Sequence, residues 1–77
     1  MLFVEFSFDK EGDALYIYIS RAAIAESEPL NRNVIVDYDH SKNICGIEIL
    51  NYSTSNLDLN KLIRLTSNEL ISQVTAT

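Results

Sequence analysis

Residues Val34–Leu50 read VIVDYDHSKNICGIEIL, and this stretch decides the fold. Apolar residues alternate with other residues on both sides of a polar segment at 39–43, a pattern typical of two strands that are each buried on one face. Asp and Asn favour turns because their side chains bond nearby backbone groups. The stretch therefore predicts a β-hairpin. If Asp39 pairs with Ile44, one face of the hairpin carries Val34, Val36, Tyr38, Cys45, Ile47 and Ile49.

Gly46 interrupts the second strand of this hairpin. In the same register it lies opposite Asp37, on the face away from the apolar set. A glycine inside a strand often marks a bulge or a place where another group approaches the backbone closely. We expect such a feature at Gly46. We expect Cys45 beside it to be a reduced, unreactive residue buried on the core side.

The N-terminal segment predicts a second hairpin. Residues 2–9 and 15–19 both alternate, and the turn at 10–13 contains Gly12, which we expect to be free to take a positive φ. Pairing Asp9 with Ala14 places on one face Val4, Phe6, Phe8, Leu15, Ile17 and Ile19. Residues 24–30 predict a weaker third strand, and Pro29 ends it or places it at a sheet edge because proline lacks a backbone donor.

The pattern changes after Leu50. A polar loop at 51–56 leads into apolar residues at helical spacing, which predicts a helix over 57–74. This helix is prone to break near 66–68, where short polar side chains compete for backbone hydrogen bonds. The expected fold is α+β: a single domain over 1–77, with a small antiparallel sheet of about five strands within 1–51 and a C-terminal helix packed on one face. The pattern leaves the strand order open.

Composition limits the functions that the chain can have. Its 77 residues carry a net charge of −5, which argues against nucleic-acid binding because phosphate contacts need a basic surface. One cysteine and one histidine allow neither an intramolecular disulfide nor a structural zinc site. No apolar run reaches the length of a membrane span, and the first residues lack the pattern of a signal peptide. We therefore expect a cytoplasmic protein and assign it no cofactor.

The sheet face that the helix does not cover is expected to be unusually apolar. Its large apolar groups alternate with carboxylates, and an exposed apolar patch usually marks an interface. The sequence therefore predicts an interaction surface that contains Phe3, Tyr16, Tyr18, Ile35, Asp37 and Glu48. We expect a homodimer, since a chain of this length buries only about 60% of its unfolded surface and is marginally stable alone. A different, basic partner protein and a helix exchanged between subunits are the alternatives.

Several motifs resemble one prokaryotic family. DKEGDALYIYI at Asp9–Ile19, Glu26, VIVDYD at Val34–Asp39 and GIEIL at Gly46–Leu50 are similar to the pattern of the domain of unknown function 2283. The resemblance covers residues 6–51. It implies a small cytoplasmic domain of prokaryotic type, and it transfers no catalytic residue. Small proteins of this kind often lie beside toxin genes, which suggests an antitoxin-like role.

Other candidate sites have simpler explanations. The carboxylates of the turn at 9–13 lack the spacing of a calcium-binding EF-hand loop and are better explained as turn residues. Asp37 and Glu48 would need a pocket for acid–base chemistry, which a flat sheet face does not offer. His40 lies in a turn with no nucleophile placed to pair with it.

Two functional hypotheses follow. The first is a non-enzymatic protein–protein interaction module, homodimeric and antitoxin-like, whose acidic sheet meets a basic partner. The second is a domain that binds a small ligand or a metal on the outer sheet face, through Tyr16, Tyr18, Asp37 and Glu48. In neither hypothesis does a residue have a catalytic role.

Overall fold

A computed structural model of the protein describes residues 5–62 and 67–75. Within them one antiparallel sheet is formed by β1 (Glu5–Asp9), β2 (Ala14–Tyr18), β3 (Glu26–Asn31), β4 (Val34–Tyr38) and β5 (Ile44–Ile49). The prediction of about five antiparallel strands is confirmed, and both predicted hairpins are present. The strand order β1-β2-β5-β4-β3, which the sequence left open, joins the two hairpins through the central pair β2 and β5.

The N-terminal hairpin has the predicted register, with Asp9 opposite Ala14 and Phe6 opposite Ile17. The third strand continues past Pro29 to Asn31 and is an edge strand, which is the second of the two alternatives left open by Pro29, and it lies slightly later than the expected range 24–30. Every residue of β3 is exposed. Local alternation and a single proline were therefore enough to identify three of the five described strands, although not their order in the sheet.

The central hairpin follows its predicted register only as far as the pair of Asp37 with Gly46. Beyond it, Tyr38 pairs with Ile44 rather than with Cys45. The extra residue makes a β-bulge, and the residues beyond a bulge turn to the opposite faces of the sheet. Ile44 therefore packs against the core together with Tyr38. The expectation that Cys45 is buried is confirmed, but Cys45 is not part of the core cluster.

Aspartates organise the turns of both hairpins. The Asp9 carboxylate accepts hydrogen bonds from backbone N–H groups of its own turn, and the Asp39 carboxylate does the same in the second hairpin. The positive φ of the first turn is at Asp13, at 51°, so the expectation for Gly12 is corrected. Gly12 instead gives the Asp9 carboxylate room, because a Cβ at Gly12 would lie 2.8 Å from Asp9 Oδ2.

The core lies on one face of the sheet. Strand residues with at most 3% exposure form its floor: Leu15, Ile17, Val34, Val36, Ile47 and Ile49. Leu62, Leu70 and Val74 from the C-terminal segment are buried in the same cluster. Burying apolar area of this kind is the main favourable contribution to folding.

The C-terminal segment forms two short helices, α1 (Leu59–Leu62) and α2 (Ser67–Thr75), where the sequence predicted one helix over 57–74. The break expected near 66–68 falls partly on residues 63–66, which lie outside the described residues. No helix among the described residues is long and apolar enough to cross a membrane.

Candidate functional site on the outer sheet face

The sheet face opposite the core, here called the outer face, carries two adjacent rows of side chains. One row crosses the five strands from the edge strand β1 to the edge strand β3, in the order Glu5, Tyr18, Gly46, Asp37 and Ser27. The second row runs Ser7, Tyr16, Glu48, Ile35 and Pro29. The rows bring together all the described members of the predicted interaction surface. The remaining member, Phe3, lies outside the described residues.

Asp37 is a buried carboxylate at the centre of this face, only 5% exposed. The Tyr16 hydroxyl donates a hydrogen bond to its Oδ2, and the Ser27 hydroxyl donates one to its Oδ1 at 2.5 Å. Burying a charged group is costly unless it is hydrogen-bonded, and here both oxygens accept a bond. The carboxylate therefore joins side chains of β2 and β3 to β4.

Gly46 makes room for the bond between Tyr16 and Asp37. It lies on β5, between β2 and β4, and pairs with Tyr18 on one side and with Asp37 on the other. A Cβ built on Gly46 would overlap the Tyr16 hydroxyl and would lie 2.8 Å from Tyr16 Cζ. Both features that a mid-strand glycine suggests are thus present, since the bulge lies next to the close approach.

Tyr16 and Tyr18 form an aromatic pair on this face. Their ring centroids lie 4.5 Å apart and their planes meet at 62°, an edge-to-face arrangement that aromatic rings favour. Tyr16 is half-buried, while Tyr18 is 41% exposed. Burial, and then the hydrogen bond to Asp37, raise the pKa of Tyr16 above its ordinary value of 10.0. The phenol therefore remains a proton donor near neutral pH.

The bulge brings Cys45 to the Tyr16 side of the sheet. Its side chain is 3% exposed, and its thiol donates to the backbone carbonyl of Asp37 at 3.5 Å. Burial, followed by the charges of Asp37 and Asp39, raises the pKa of the Cys45 thiol. A protonated thiol is a poor nucleophile. The raised pKa agrees with the expected low reactivity, although the expected position was wrong.

A cavity of about 280 Å³ opens beside the two tyrosines. Its lining consists of Glu5, Tyr16, Tyr18, Ser20, Arg21, Ala22, Ile24 and Cys45. This volume lies just below the range of roughly 300–1,000 Å³ that ligand pockets usually have. Asp37 and Glu48 do not line it. The four residues predicted for a ligand site therefore share a face, but only the tyrosines among them border this cavity.

Of the carboxylates at 9–13, Asp9 and Asp13 serve the turns. Asp13 accepts a hydrogen bond from the Ser53 backbone N–H at 3.0 Å and another from the Ser53 hydroxyl at 2.6 Å. These bonds tie the first hairpin turn to the 3₁₀ turn Tyr52–Thr54. Across residues 5–62 and 67–75, no three His, Cys, Asp or Glu side chains lie together in a group that could hold a metal ion.

Sequence reasoning missed one of the residues that form a hydrogen bond to Asp37. Ser27 gains its role only from its pairing opposite Asp37, and that pairing is not visible in the local pattern of β3. Cys45 was misplaced for a different reason, because the bulge moves it by one register position. Gly46 was the available signal for that bulge.

Comparison with known proteins identifies one family. The family described as "Protein of unknown function (DUF2283)" matches residues 5–53, a stretch that holds all five described strands. No curated protein matches the chain, and no solved structure matches it.

Proposed function

The chain belongs to the family of proteins of unknown function DUF2283, and on that premise we propose that it is a non-enzymatic protein–protein interaction module that forms a homodimer through its outer face. The proposal places the module in the cytoplasm of a prokaryote. We expect this module to bind a basic partner protein as well as a second copy of itself. An antitoxin would be one example of such a module.

The observation that carries this proposal is the difference between the two sheet faces. The core face is filled by buried strand residues and by Leu62, Leu70 and Val74. On the outer face, Tyr18 is 41% exposed, and Tyr16 and Ile35 are half-buried. Covering apolar surface contributes about 25 cal/mol per Å², and this gain favours association when it exceeds the entropic cost of bringing two chains together.

The groups around Asp37 also support a non-enzymatic role. Both oxygens of the Asp37 carboxylate are engaged by hydroxyl donors within the fold. The raised pKa values of Tyr16 and Cys45 keep both groups protonated at neutral pH, with burial as the leading cause. A general base or a nucleophile needs the opposite adjustment. These groups are therefore better suited to holding the strands together than to chemistry.

In this proposal the C-terminal helices stay on the core face of their own subunit, which makes the fold α+β. Support comes from Leu62, Leu70 and Val74, which are buried in one cluster with the strands of the same chain.

Sedimentation equilibrium over a wide range of protein concentration tests the dimer. We expect a reversible monomer–dimer equilibrium for the natural chain. Tyr18→Glu should weaken the dimer by at least about tenfold, because a tyrosine at the centre of an interface often contributes about 2 kcal/mol or more.

Leu30→Glu is the matched control. Leu30 is 43% exposed, close to the exposure of Tyr18, and it lies in β3 at the far edge of the sheet. The Leu30→Glu variant introduces the same charge as Tyr18→Glu but should leave the dimer unchanged. A natural chain that stays monomeric at every concentration, or two variants with equal effects, would refute the outer-face dimer.

The basic partner requires a separate experiment. The tagged chain is isolated gently from its own cells, and co-purifying proteins are identified by mass spectrometry. A stoichiometric basic protein supports the interaction module, and a small ribonuclease-like protein supports the antitoxin role. Recovery of the chain alone would limit the proposal to self-association.

The cavity beside the tyrosines favours a second candidate function, the binding of a small organic ligand. Tyr18 and the loop residues Ser20–Ala22 offer aromatic and polar contacts around about 280 Å³. A bound ligand stabilises the folded chain by mass action, so a metabolite screen should raise the melting temperature. Ala22→Trp, designed to fill the cavity, should abolish that rise, whereas the dimer hypothesis instead requires melting that depends on protein concentration.

A further inference from the structure

The two edge strands of the described sheet are protected to different degrees. An edge strand presents unpaired backbone groups on which another chain can pair, and proteins usually blunt such edges. β3 has two blunting features, Pro29 and a register shift between Pro29 and Asn31. β1 reads EFSFD and contains no proline, and its pairing with β2 runs from Glu5 to Asp9 without a shift.

Among the described strands, β1 pairs only with β2. Alternate residues of β1 must therefore turn their N–H and C=O groups away from β2. On the core side of this edge, Phe8 is 48% exposed and meets Tyr52 edge-on, with ring centroids 5.8 Å apart. Phe6, two residues earlier, packs against the core while still partly exposed. An added strand would cover these apolar rings as well as satisfy the backbone.

Charge determines which strand fits. Glu5, Ser7 and Asp9 lie on the outer face of β1, so the edge carries a carboxylate at each end of its five residues. A second copy that paired antiparallel about Ser7 would place Glu5 opposite another chain's Asp9, and like charges in opposed positions are destabilising. Lysine or arginine at these two positions would instead form cross-strand pairs.

We propose that the β1 edge binds an extended, basic segment of a partner protein, which adds to the sheet as a sixth strand. The matching segment has basic residues four positions apart, facing Glu5 and Asp9. It has apolar residues between them, facing Phe6 and Phe8. This pattern is symmetric, so it fits in either strand direction. The site uses the backbone edge and both faces of β1, and pairing through the backbone groups of this edge does not require the outer-face dimer.

The probe is a capped peptide with the central sequence Lys-Val-Thr-Val-Lys, added to the full-length ¹⁵N-labelled chain. We expect amide shifts at Phe6, Ser7 and Phe8, and slower hydrogen exchange at the alternate residues of β1 whose N–H groups face away from β2. Two further peptides carry N-methyl groups on alternate residues. Only one of the two should lose binding, because only one set of N–H groups faces β1 in the added strand.

Charge variants complete the test. Glu5→Lys should weaken binding of the basic peptide about fivefold, because it replaces an attractive cross-strand pair by a repulsive one. Glu28→Lys on β3, which changes net charge equally, should weaken it much less. A Glu-Val-Thr-Val-Glu peptide should bind far more weakly than the basic one. Equal binding of both peptides, shifts confined to β3, or no shifts at about 1 mM peptide would overturn the proposal.

Discussion

The hydroxyl of Tyr16 on β2 donates a hydrogen bond to the carboxylate of Asp37 on β4, across the intervening strand β5. The bond spans two strand spacings and is possible because Gly46 leaves the space above β5 empty of a side chain. It links the N-terminal hairpin to the central one on the outer face. The core face links the same hairpins through apolar contacts.

Removing the donor of this bond should destabilise the fold. Tyr16→Phe leaves Asp37 Oδ2 buried without the partner that it has now, and such a loss costs about 1–3 kcal/mol. Urea unfolding monitored by circular dichroism measures it. Tyr18→Phe is the control, because that ring is 41% exposed, and its change should stay within about 0.5 kcal/mol. Equal losses in both variants would show that the bond has no special role.

Gly46→Ala should lower the free energy of unfolding, and the size of the loss should depend on Tyr16. The new Cβ would overlap the Tyr16 hydroxyl, and overpacking of this kind costs about 1–3 kcal/mol. The cost of Gly46→Ala should shrink markedly when Tyr16 is first replaced by alanine, because the clash is then gone. A double-mutant cycle of unfolding free energies measures the coupling. Additive effects would contradict the close approach.

The fold should lose stability in alkaline solution. The pKa values of Tyr16 and Cys45 are raised in the folded chain above their ordinary values of 10.0 and 9.0. Above about pH 9 the unfolded chain therefore releases protons that the folded chain retains, so the free energy of unfolding falls as pH rises. The contribution of both groups is fully present below that pH.

Urea titrations between about pH 7 and pH 11 test this dependence. The variant with both Tyr16→Phe and Cys45→Ala should show a flatter decline than the natural chain. An unchanged decline in the double variant would show that other groups are responsible. A rise in stability above about pH 9 would contradict the sign of both pKa shifts.

Lys42 holds a left-handed backbone conformation in the central turn, with φ at 66°. A residue with a Cβ pays about 1–2 kcal/mol for this conformation, and glycine adds an entropic cost of about 0.5–1 kcal/mol. Lys42→Gly should therefore stabilise the chain by about 0.5–1 kcal/mol. Thermal unfolding measures the gain. Ser41→Gly, one residue earlier and without a positive φ, should be destabilising instead. A loss of stability in Lys42→Gly would contradict the turn geometry.

Local pattern predicted the strands well because each strand is buried on one face, so its alternation shows directly in the sequence. The pairs of Asp9 with Ala14 and of Asp37 with Gly46 were both correct for this reason. The bulge beside Gly46 was harder to predict. The apolar residues before and after it show the same alternation whether or not the strand contains an extra residue. Ile44 and Cys45 consequently exchanged faces.

Two features lay beyond any local pattern. The strand order depends on the pairing of β2 with β5, whose residues are far apart in the sequence. The cluster around Asp37 needs that order, since Tyr16 and Ser27 reach the carboxylate from opposite sides. The acidic and aromatic character of the face was visible in the sequence, but its hydrogen bonds were not.

An isotope-filtered nuclear Overhauser experiment, on a mixture of ¹³C-labelled and unlabelled chains, tests the outer-face dimer most directly. The proposal predicts contacts between subunits from the rings of Tyr16 and Tyr18, with further contacts from Ile35. Contacts between subunits that arise instead from Phe8 or Leu30, or no such contacts at about 1 mM protein, would contradict it.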